Sequence, residues 1–454
     1  MDAALLFRLI SCERARSYYA QGVSPIANEH IGGFTPPEIS RKVYAWFNGG
    51  FSHPLSNKVL TYKNFSVTAD KITQNKNSYE LSKLLLQYTP NSQIMKELAL
   101  EVFILKKRGL NVEKIYLYMA DKNYSAKGEL NNELNFEKLF IKEDISRQVF
   151  GKVFKIQNAI DFLDHYEDDE IRCDYDFTCE YAHKCLAFIP KYSVMNMTRL
   201  SREIKLDLIK QNILNTSEIP DELLTDYQRI QAVCDREKKT HIDAEQLRKF
   251  LSKIAYPIHF LDFEAINYII PPFESLPPNT ILPFQFSLCV LESDKSRKKR
   301  YDFLADYDKD SRSEIAHLLG EIIADKGSVV AFGSSFEKTI IKELANFCSE
   351  SREKLLSISA RIIDIMTPFE KRWFYHYKMR GSHSLKSVAP AIDKSAVYDG
   401  GIANGMKAVQ KYFSLFESNA EDRVKIKEEL LDYCGKDSEY LVTIYKKLLK
   451  AAES

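Results

Sequence analysis

Acidic side chains recur at three places in the second half of the chain, each at the predicted end of a strand or helix. Asp262 and Glu264 are two residues apart, and strand side chains alternate, so both point to one face. Glu337 follows a strand-to-helix turn, and Tyr433 and Asp437 are four residues apart on one face of the last predicted helix. Carboxylate oxygens are ligands that Mg²⁺ prefers, and two such ions can drive phosphodiester hydrolysis.

The alternative interpretation of Asp262 and Glu264 is a pair of solvated surface carboxylates. The chain has 63 acidic residues, so an Asp-x-Glu pair is common. The pair lies in Phe260-Leu-Asp-Phe-Glu264, where an apolar strand excludes adjacent charges unless something compensates them. This context favours a site.

The elements that must position these residues form an alternating pattern. A charged turn at 293–299 joins two strands into a predicted hairpin, and strands and helices then alternate. Strands are predicted at 257–264, 283–292, 300–304, 328–332 and 361–365, and helices at 311–325, 336–347 and 421–452. A hairpin-led sheet with alternating helices predicts an α/β domain with a mixed sheet.

The order and spacing of the acidic residues resemble the DnaQ-like 3′→5′ exonucleases, which have an RNase-H-like fold. Asp262-Phe-Glu264 meets their Asp-x-Glu motif, Phe336-Glu337 stands where they have Phe-Asp, and Tyr433-Cys-Gly-Lys-Asp437 meets their Tyr-x-x-x-Asp motif. The resemblance implies that Tyr433 orients the attacking water. It also implies that two Mg²⁺ or Mn²⁺ ions are held by Asp262, Glu264, Glu337 and Asp437.

One residue departs from this family pattern. Glu337 is one methylene longer than the family Asp, which would displace a metal ion unless the backbone retreats. Asp364, in Ile362-Ile-Asp364, resembles a further family Asp that usually has a structural part, and it is a reserve ligand.

Three of the eight cysteines, Cys173, Cys179 and Cys185, lie within 13 residues, and Cys12 lies far upstream. Four thiolates suit a [4Fe–4S] cluster or a structural Zn²⁺, and His183 could replace one ligand. The arrangement resembles iron–sulfur nucleases in which such a cluster staples a restriction-endonuclease-like (PD-(D/E)xK) domain. Free thiols in a reduced protein are the alternative.

The first part of the chain predicts strand, strand, helix and strand, with the helix from Ser92 to Gly109. Restriction-endonuclease-like nucleases have an Asp at the end of one strand, Glu-x-Lys on the next strand and a Gln on the following helix. In this pattern Asp70 and Glu80 take the places of the Asp and the Glu, and Glu101 takes the place of the Gln. Ser82 occupies the lysine position, and Lys83 is expected on the opposite face. This resemblance therefore implies a degenerate nuclease domain that binds nucleic acid without cleaving it. Surface carboxylates are the alternative for Asp70 and Glu80.

A stretch from Lys371 to Arg380 interleaves cations with aromatic rings, a composition that can track phosphates and stack bases. The alternative is an amphipathic helix that buries Trp373, Phe374 and Tyr377. The candidate nucleic-acid contacts are Lys371, Arg372, Trp373, Tyr375, Lys378 and Arg380.

Composition limits the classes of partner. The chain has 454 residues, with 64 Lys and Arg against 63 Asp and Glu, so any nucleic-acid surface must be a local patch. Because no run of 18 apolar residues occurs, we expect no transmembrane helix and no membrane partner. Asp2 and Arg8 argue against a signal peptide, and eight cysteines are too sparse for a disulfide scaffold, so a cytoplasmic location is expected.

Three parts are predicted: a PD-(D/E)xK-like domain at 1–190, a helical connector at 191–250 and a DnaQ-like domain at 251–454. The combination resembles an uncharacterised bacterial family. The expected function is metal-dependent 3′→5′ exonuclease action on single-stranded or frayed nucleic acid, with DNA and RNA both open. The alternative is an inactive nucleic-acid-binding adaptor that retains both nuclease folds.

Overall fold

The computed structural model shows a mixed α/β protein with two compact units, residues 1–188 with 267–280, and residues 189–266 with 281–454. None of the helices in the described part of the chain is long and apolar enough to cross a membrane. The described residues are 41, 43, 45–47, 58–62, 65–68, 70–124, 139–163, 181–270, 273, 276, 280–396, 401–402 and 404–453.

The first unit contains a four-stranded sheet in the order β3-β4-β5-β6, with β4 and β5 parallel and the outer pairs antiparallel. A separate antiparallel pair is formed by β1 and β2. The strands are β1 (Val59–Tyr62), β2 (Phe65–Thr68), β3 (Lys71–Asn75), β4 (Ser78–Leu85), β5 (Val112–Ala120) and β6 (Phe140–Asp144). The helices are α1 (Ser92–Lys107), α2 (Ser146–Leu163) and the short α3 (Ala182–Cys185).

Helix α1 follows its sequence signals closely. The Asn91 side chain accepts a hydrogen bond from the Ile94 amide at 2.9 Å, which caps the N-terminus. Its last turn carries Lys106 and Lys107, and Gly109 follows with φ of +84°. The buried face of α1 packs on the sheet. The predicted strands on either side of α1 are confirmed as β4 and β5, whereas the first predicted strand is two strands, β2 and β3, and β1 was not predicted.

The second unit is built around a five-stranded sheet in the order β10-β9-β8-β11-β12. The strands of this sheet are β8 (Ile258–Tyr268), β9 (Thr280–Leu291), β10 (Lys299–Leu304), β11 (Ser328–Ala331) and β12 (Ile362–Asp364). The unit also contains β7 (Thr240–Ile242) and β13 (Phe374–His376). Its helices are α4 (Arg202–Lys210), α5 (Asp226–Glu237), α6 (Ala244–Leu251), α7 (Arg312–Ile322), α8 (Ser335–Phe347), α9 (Arg352–Ala360), α10 (Thr367–Glu370), α11 (Leu385–Ile392), α12 (Gly405–Ser414) and α13 (Ala420–Ala452).

The strands of this sheet run in both directions. β9 and β10 form the predicted antiparallel hairpin, whereas β11 is parallel to both β8 and β12. The carboxyl ends of β8, β11 and β12 therefore meet at one edge, the usual place for a ligand in such sheets. Two apolar clusters cover the sheet with helices on both faces.

The segment 191–250, described from sequence as a connector, is helical and packs within the second unit. β7 pairs antiparallel with β13. The Arg248 guanidinium donates to the carbonyl oxygen of Ala452 at 2.7 Å, which ties α6 to the end of α13.

Candidate metal centre and its surroundings

Three of the predicted ligands come together in the second unit. One carboxylate oxygen from each of Asp262, Glu264 and Asp437 can be chosen so that all three lie within 4.8 Å of one another. Asp262 and Glu264 are half-buried and Asp437 is buried. A small ion or a phosphate oxygen can thus reach the cluster from the side of Asp262 and Glu264.

Strand β8 and helix α13 hold these residues for separate reasons. In β8 the register with β11 ends at Phe260, so Asp262 and Glu264 lie beyond the last residue that pairs with β11, in a strand that continues beside β9 to Tyr268. In α13 the buried side chains recur every three or four residues, and this apolar stripe packs on the core. Tyr433 and Asp437 interrupt the stripe with polar groups that face the end of β8.

Two further side chains complete the surroundings. The Lys386 ammonium, on α11, donates to the Tyr433 hydroxyl at 2.9 Å and lies 4.7 Å from the centre of its ring. The Tyr433 side chain is also hydrogen-bonded to Glu264. The Cys434 thiol donates to the Asp262 carboxylate with a sulfur–oxygen distance of 3.3 Å. The tyrosine hydroxyl is therefore fixed between a cation and a carboxylate.

Glu337 lies near this cluster but outside it. Its side chain is in the first turn of α8 and only 4% exposed, and its carboxylate does not join the three that meet within 4.8 Å. Its Oε2 atom has no hydrogen-bond partner among the described residues. The structure thus brings together three of the four predicted acidic ligands and leaves Glu337 as a buried carboxylate beside them.

Asp364 positions the turn that carries Glu337. Its carboxylate accepts hydrogen bonds from the backbone amides of Gly333 and Ser334, both at 2.9 Å, and of Met366 at 3.0 Å. Gly333 has φ of +76°, a conformation that suits glycine. Asp364 is therefore engaged by backbone donors, which matches a structural part rather than a reserve ligand.

Burial and mutual repulsion, in that order, determine the electrostatics of the cluster. Burial, followed by the charges of Asp437 and Glu264, raises the pKa of Asp262 well above its usual value. Burial and the charge of Asp437 raise the pKa of Glu264 to about 8, and burial raises that of Glu337 to about 8. A divalent cation would relieve this repulsion, and the all-oxygen donor set fits Mg²⁺ or Mn²⁺.

The predicted nucleic-acid stretch is only partly at the surface. Arg372 is 2% exposed and Tyr375 is fully buried, so the prediction that these two contact nucleic acid is wrong. The Arg372 guanidinium donates to Thr198 and Gln231 at 2.9 and 3.0 Å and lies 4.0 Å from the Tyr375 ring. Both side chains are therefore buried away from a ligand, although the Nε atom of Arg372 has no hydrogen-bond partner among the described residues. Lys371, Lys378 and Arg380 are exposed, and Trp373 is half-buried.

The same stretch does not form the amphipathic helix that was the alternative. It contains the end of α10, the strand β13 and a 3₁₀ turn from Tyr377 to Met379. β13 is drawn into an extended conformation by its antiparallel pairing with β7, a contact that local sequence does not reveal.

The candidate site in the first unit has a different membership from the predicted one. Lys83 Nζ lies 2.8 Å from Asp70 Oδ2, so Lys83 faces Asp70 instead of pointing away from it. Glu80 lies on the other face of β4 and accepts a hydrogen bond from Asn75. Asp70 precedes β3 and faces Lys83 because Lys71 is paired with Ser82. Lys83 does lie on the opposite face of β4 from Glu80, as expected, but Asp70 shares the face of Lys83, so the grouping of Asp70 with Glu80 is wrong. The inference of lost catalysis stays a prediction, and Ser82 still occupies the lysine position.

Glu101 belongs to this group as well. Its Oε1 atom accepts a hydrogen bond from the Asp70 amide at 2.7 Å, while its Oε2 atom has no hydrogen-bond partner among the described residues. Burial and then the Asp70 charge raise the pKa of Glu101 well above its usual value. Burial alone would lower the pKa of Lys83, but Asp70 outweighs it and the pKa is raised.

The predicted cysteine site lies mostly outside the described residues. Cys12, Cys173 and Cys179 are not among them, whereas Cys185 is buried at the end of α3. The [4Fe–4S] or Zn²⁺ site therefore stays a prediction.

Sequence reasoning identified neither Lys386 nor Cys434 as part of the site. Lys386 belongs to α11, which reaches the site through its packing on α13. Cys434 follows Tyr433 directly, and this adjacency was the one available signal.

One protein family matches part of the chain. It is described as a domain of unknown function (DUF2779) and matches residues 259–384, less than a third of the sequence. The matched range includes Asp262, Glu264 and Glu337 but ends before Tyr433 and Asp437. No significant match was found among curated proteins or among solved structures.

Proposed function

We propose that the second unit is a metal-dependent 3′→5′ exonuclease with an RNase-H-like, DnaQ-like fold that removes nucleotides from single-stranded or frayed nucleic acid. The observation that carries the proposal is the convergence of Asp262, Glu264 and Asp437 at the open edge of a mixed sheet, with Tyr433 beside them. The separate segments that supply these groups are the ones that the family resemblance requires.

In this mechanism Asp262, Glu264 and Asp437 hold divalent cations, and Glu337 adds negative charge next to them. Bound Mg²⁺ or Mn²⁺ supplies activation of water and charge neutralisation at the leaving oxygen. The Tyr433 hydroxyl orients the attacking water, since Lys386 and Glu264 fix its position from two sides. Lys386 also brings positive charge to the place where a phosphate would approach.

The test is trimming of 5′-labelled single-stranded DNA and RNA in Mn²⁺ or Mg²⁺. Asp262→Asn and Asp437→Asn should each lower the rate by at least about a hundredfold, because each removes a charged metal ligand. Asp432→Asn is the matched control, since Asp432 lies on α13, is largely exposed and pairs only with Lys436. A 3′-phosphate on the substrate should block trimming if the polarity is 3′→5′.

Two results would contradict the proposal. Trimming by both variants at the wild-type rate would assign the activity to another site. Failure of the wild type to trim any substrate in either metal would favour the inactive adaptor, in which both units only bind nucleic acid.

A second candidate activity, metal-dependent cleavage by the first unit, is favoured by the pairing of Lys83 with Asp70. Its test uses the full chain carrying Asp262→Asn and Asp437→Asn. Residual Mn²⁺-dependent cleavage that disappears on Lys83→Met, and persists in a Lys114→Met control, would support this candidate. Absence of residual cleavage would leave the first unit as a binding domain.

A further inference from the structure

A groove of about 930 Å³ lies in the second unit, beside the candidate metal centre. Its walls come from three stretches of chain that are far apart in sequence: residues 190–196, the end of α5, and residues 377–391. The last stretch contains Lys386, which also touches Tyr433. Lys386 thus belongs both to the lining of the groove and to the surroundings of the metal centre.

The groove concentrates positive charge in a chain whose net charge is only +1. Five cationic side chains line it: Lys191, Lys238, Lys378, Arg380 and Lys386. The one acidic residue in its lining, Asp235, is 2% exposed and accepts hydrogen bonds from the Tyr192 and Thr216 hydroxyls. Lys386 also interacts with the carboxylates of the metal centre. The other four cations face a ligand largely uncompensated by acidic residues of the lining, as a polyanion requires.

Aromatic surface lies among these cations. Tyr377 is half-buried, stacks on His376 with ring centres 4.8 Å apart, and has the ammonium groups of Lys238 and Lys378 within 6 Å of its ring. A second tyrosine, Tyr192, lines the opposite stretch of chain. Flat rings flanked by cations suit unpaired bases joined by phosphates, because any base can stack on them.

We infer that this groove binds the single-stranded polynucleotide on the 5′ side of the nucleotide being removed, with the phosphates on its cations and a base on Tyr377. The inference rests on the proposed function, because that function supplies the strand whose 3′ end occupies the metal centre. If the groove binds the strand in this way, the substrate is a chain of several nucleotides and not a dinucleotide or a mononucleotide ester.

The test compares two variants of the full chain that change net charge equally. Lys191→Gln/Lys378→Gln removes one cation from each side of the groove, whereas Lys249→Gln/Lys342→Gln removes two exposed cations that do not line it. Binding of a labelled single-stranded 12-mer is measured in EDTA, where no hydrolysis occurs. For a single strand the logarithm of affinity falls with the logarithm of salt by about 0.7 per phosphate contact.

Two lost contacts should therefore lower the salt slope by about 1.4 and weaken binding about 25-fold at ~0.1 M salt. The control variant should bind as the wild type does. Equal binding by the groove variant and its control would overturn the inference. So would displacement of the 12-mer by poly-glutamate as effectively as by unlabelled oligonucleotide, because the groove would then recognise negative charge alone.

Hydrolysis of a nucleoside 5′-monophosphate p-nitrophenyl ester separates this inference from the proposed function. The ester is too small to reach the groove, so the groove variant should hydrolyse it at the wild-type rate while trimming the 12-mer more slowly at subsaturating concentration. If both variants hydrolyse both substrates equally well, the inference about the groove is refuted and the exonuclease proposal is kept. Binding that depends on the groove in a protein that hydrolyses neither substrate would overturn the exonuclease and keep the groove.

Discussion

Neutralising one carboxylate of the metal centre should stabilise the metal-free protein while abolishing its response to metal. In Asp437→Asn the side chain keeps its shape but no longer repels Asp262 and Glu264. Two unit charges 4.8 Å apart repel by about 3 kcal/mol at an effective dielectric constant of about 20. Solvent relaxation and partial protonation absorb part of the two repulsions, so we expect a gain of about 3 kcal/mol at pH 9.

For a unit of this size 1 kcal/mol moves the melting temperature by roughly 2–4 °C. The expected rise for Asp437→Asn at pH 9 in EDTA is therefore about 6–12 °C, measured by calorimetry or by circular dichroism. At pH 6 the rise should be smaller, because Glu264, whose pKa is about 8, is already protonated there. Asp432→Asn, on the exposed face of the same helix, should change little because surface ion pairs contribute less than about 1 kcal/mol.

Added Mn²⁺ should remove most of the stability difference between Asp437→Asn and the wild type. At a hundredfold excess over its dissociation constant, an ion that binds only the folded state stabilises it by about 2.7 kcal/mol. The wild type and Asp432→Asn should show that gain, and Asp437→Asn should show none. A variant that melts at or below the wild type at pH 9 in EDTA, or that keeps the full Mn²⁺ shift, would refute the assignment of Asp437 to the cluster.

Three further outcomes follow from the same coordinates. The metal-free wild type should lose stability as pH rises through about 8, because folded Glu264 and Glu337 keep protons that the unfolded chain releases near pH 4.5. Glu337→Gln should make this loss of stability with pH smaller. A melting temperature that stays constant from pH 6 to 9 would contradict the prediction. Arg372→Met should lower the free energy of unfolding in urea by about 2–4 kcal/mol, because its buried hydrogen-bond partners lose their donor. The control Lys371→Met, at an exposed neighbour, should lower it by less than about 0.5 kcal/mol. Equal urea midpoints for the two variants would contradict a stabilising role for Arg372. Asp364→Asn should cost about 1–3 kcal/mol and weaken Mn²⁺ binding, since one of the two acceptor oxygens is replaced by an NH₂ group that faces a backbone amide. Unchanged calorimetric Mn²⁺ affinity would separate the turn from the metal centre.

Sequence predicted the five strands of the main sheet of the second unit, three of its helices and the meeting of its main acidic groups. Alternation placed Asp262 and Glu264 on one face of a strand, and the four-residue spacing placed Tyr433 and Asp437 together. Both rules are local, so they survive without knowledge of the tertiary structure. The hairpin of β9 and β10 was predicted for the same reason.

The errors came from contacts between distant segments. Cations alternating with aromatic rings fit a surface that binds phosphates, but they also fit a core in which the Arg372 guanidinium donates to Thr198 and Gln231. Lys83 was set apart from Asp70 because the register of β3 against β4 cannot be derived from either strand alone. Lys386 reaches Tyr433 only after α11 packs on α13.

The burial of Arg372 has a consequence for where the second unit can be divided. Its partners Thr198 and Gln231 precede the DUF2779 match, whereas Tyr433 and Asp437 follow it. A fragment cut to residues 259–384 would lose β7, leave a guanidinium buried without acceptors and lack half of the metal centre. Contacts that span more than 140 residues must close before either end is stable, so the unit should fold slowly and as a whole. The boundaries of homology and the boundaries of cooperative folding therefore differ in this protein.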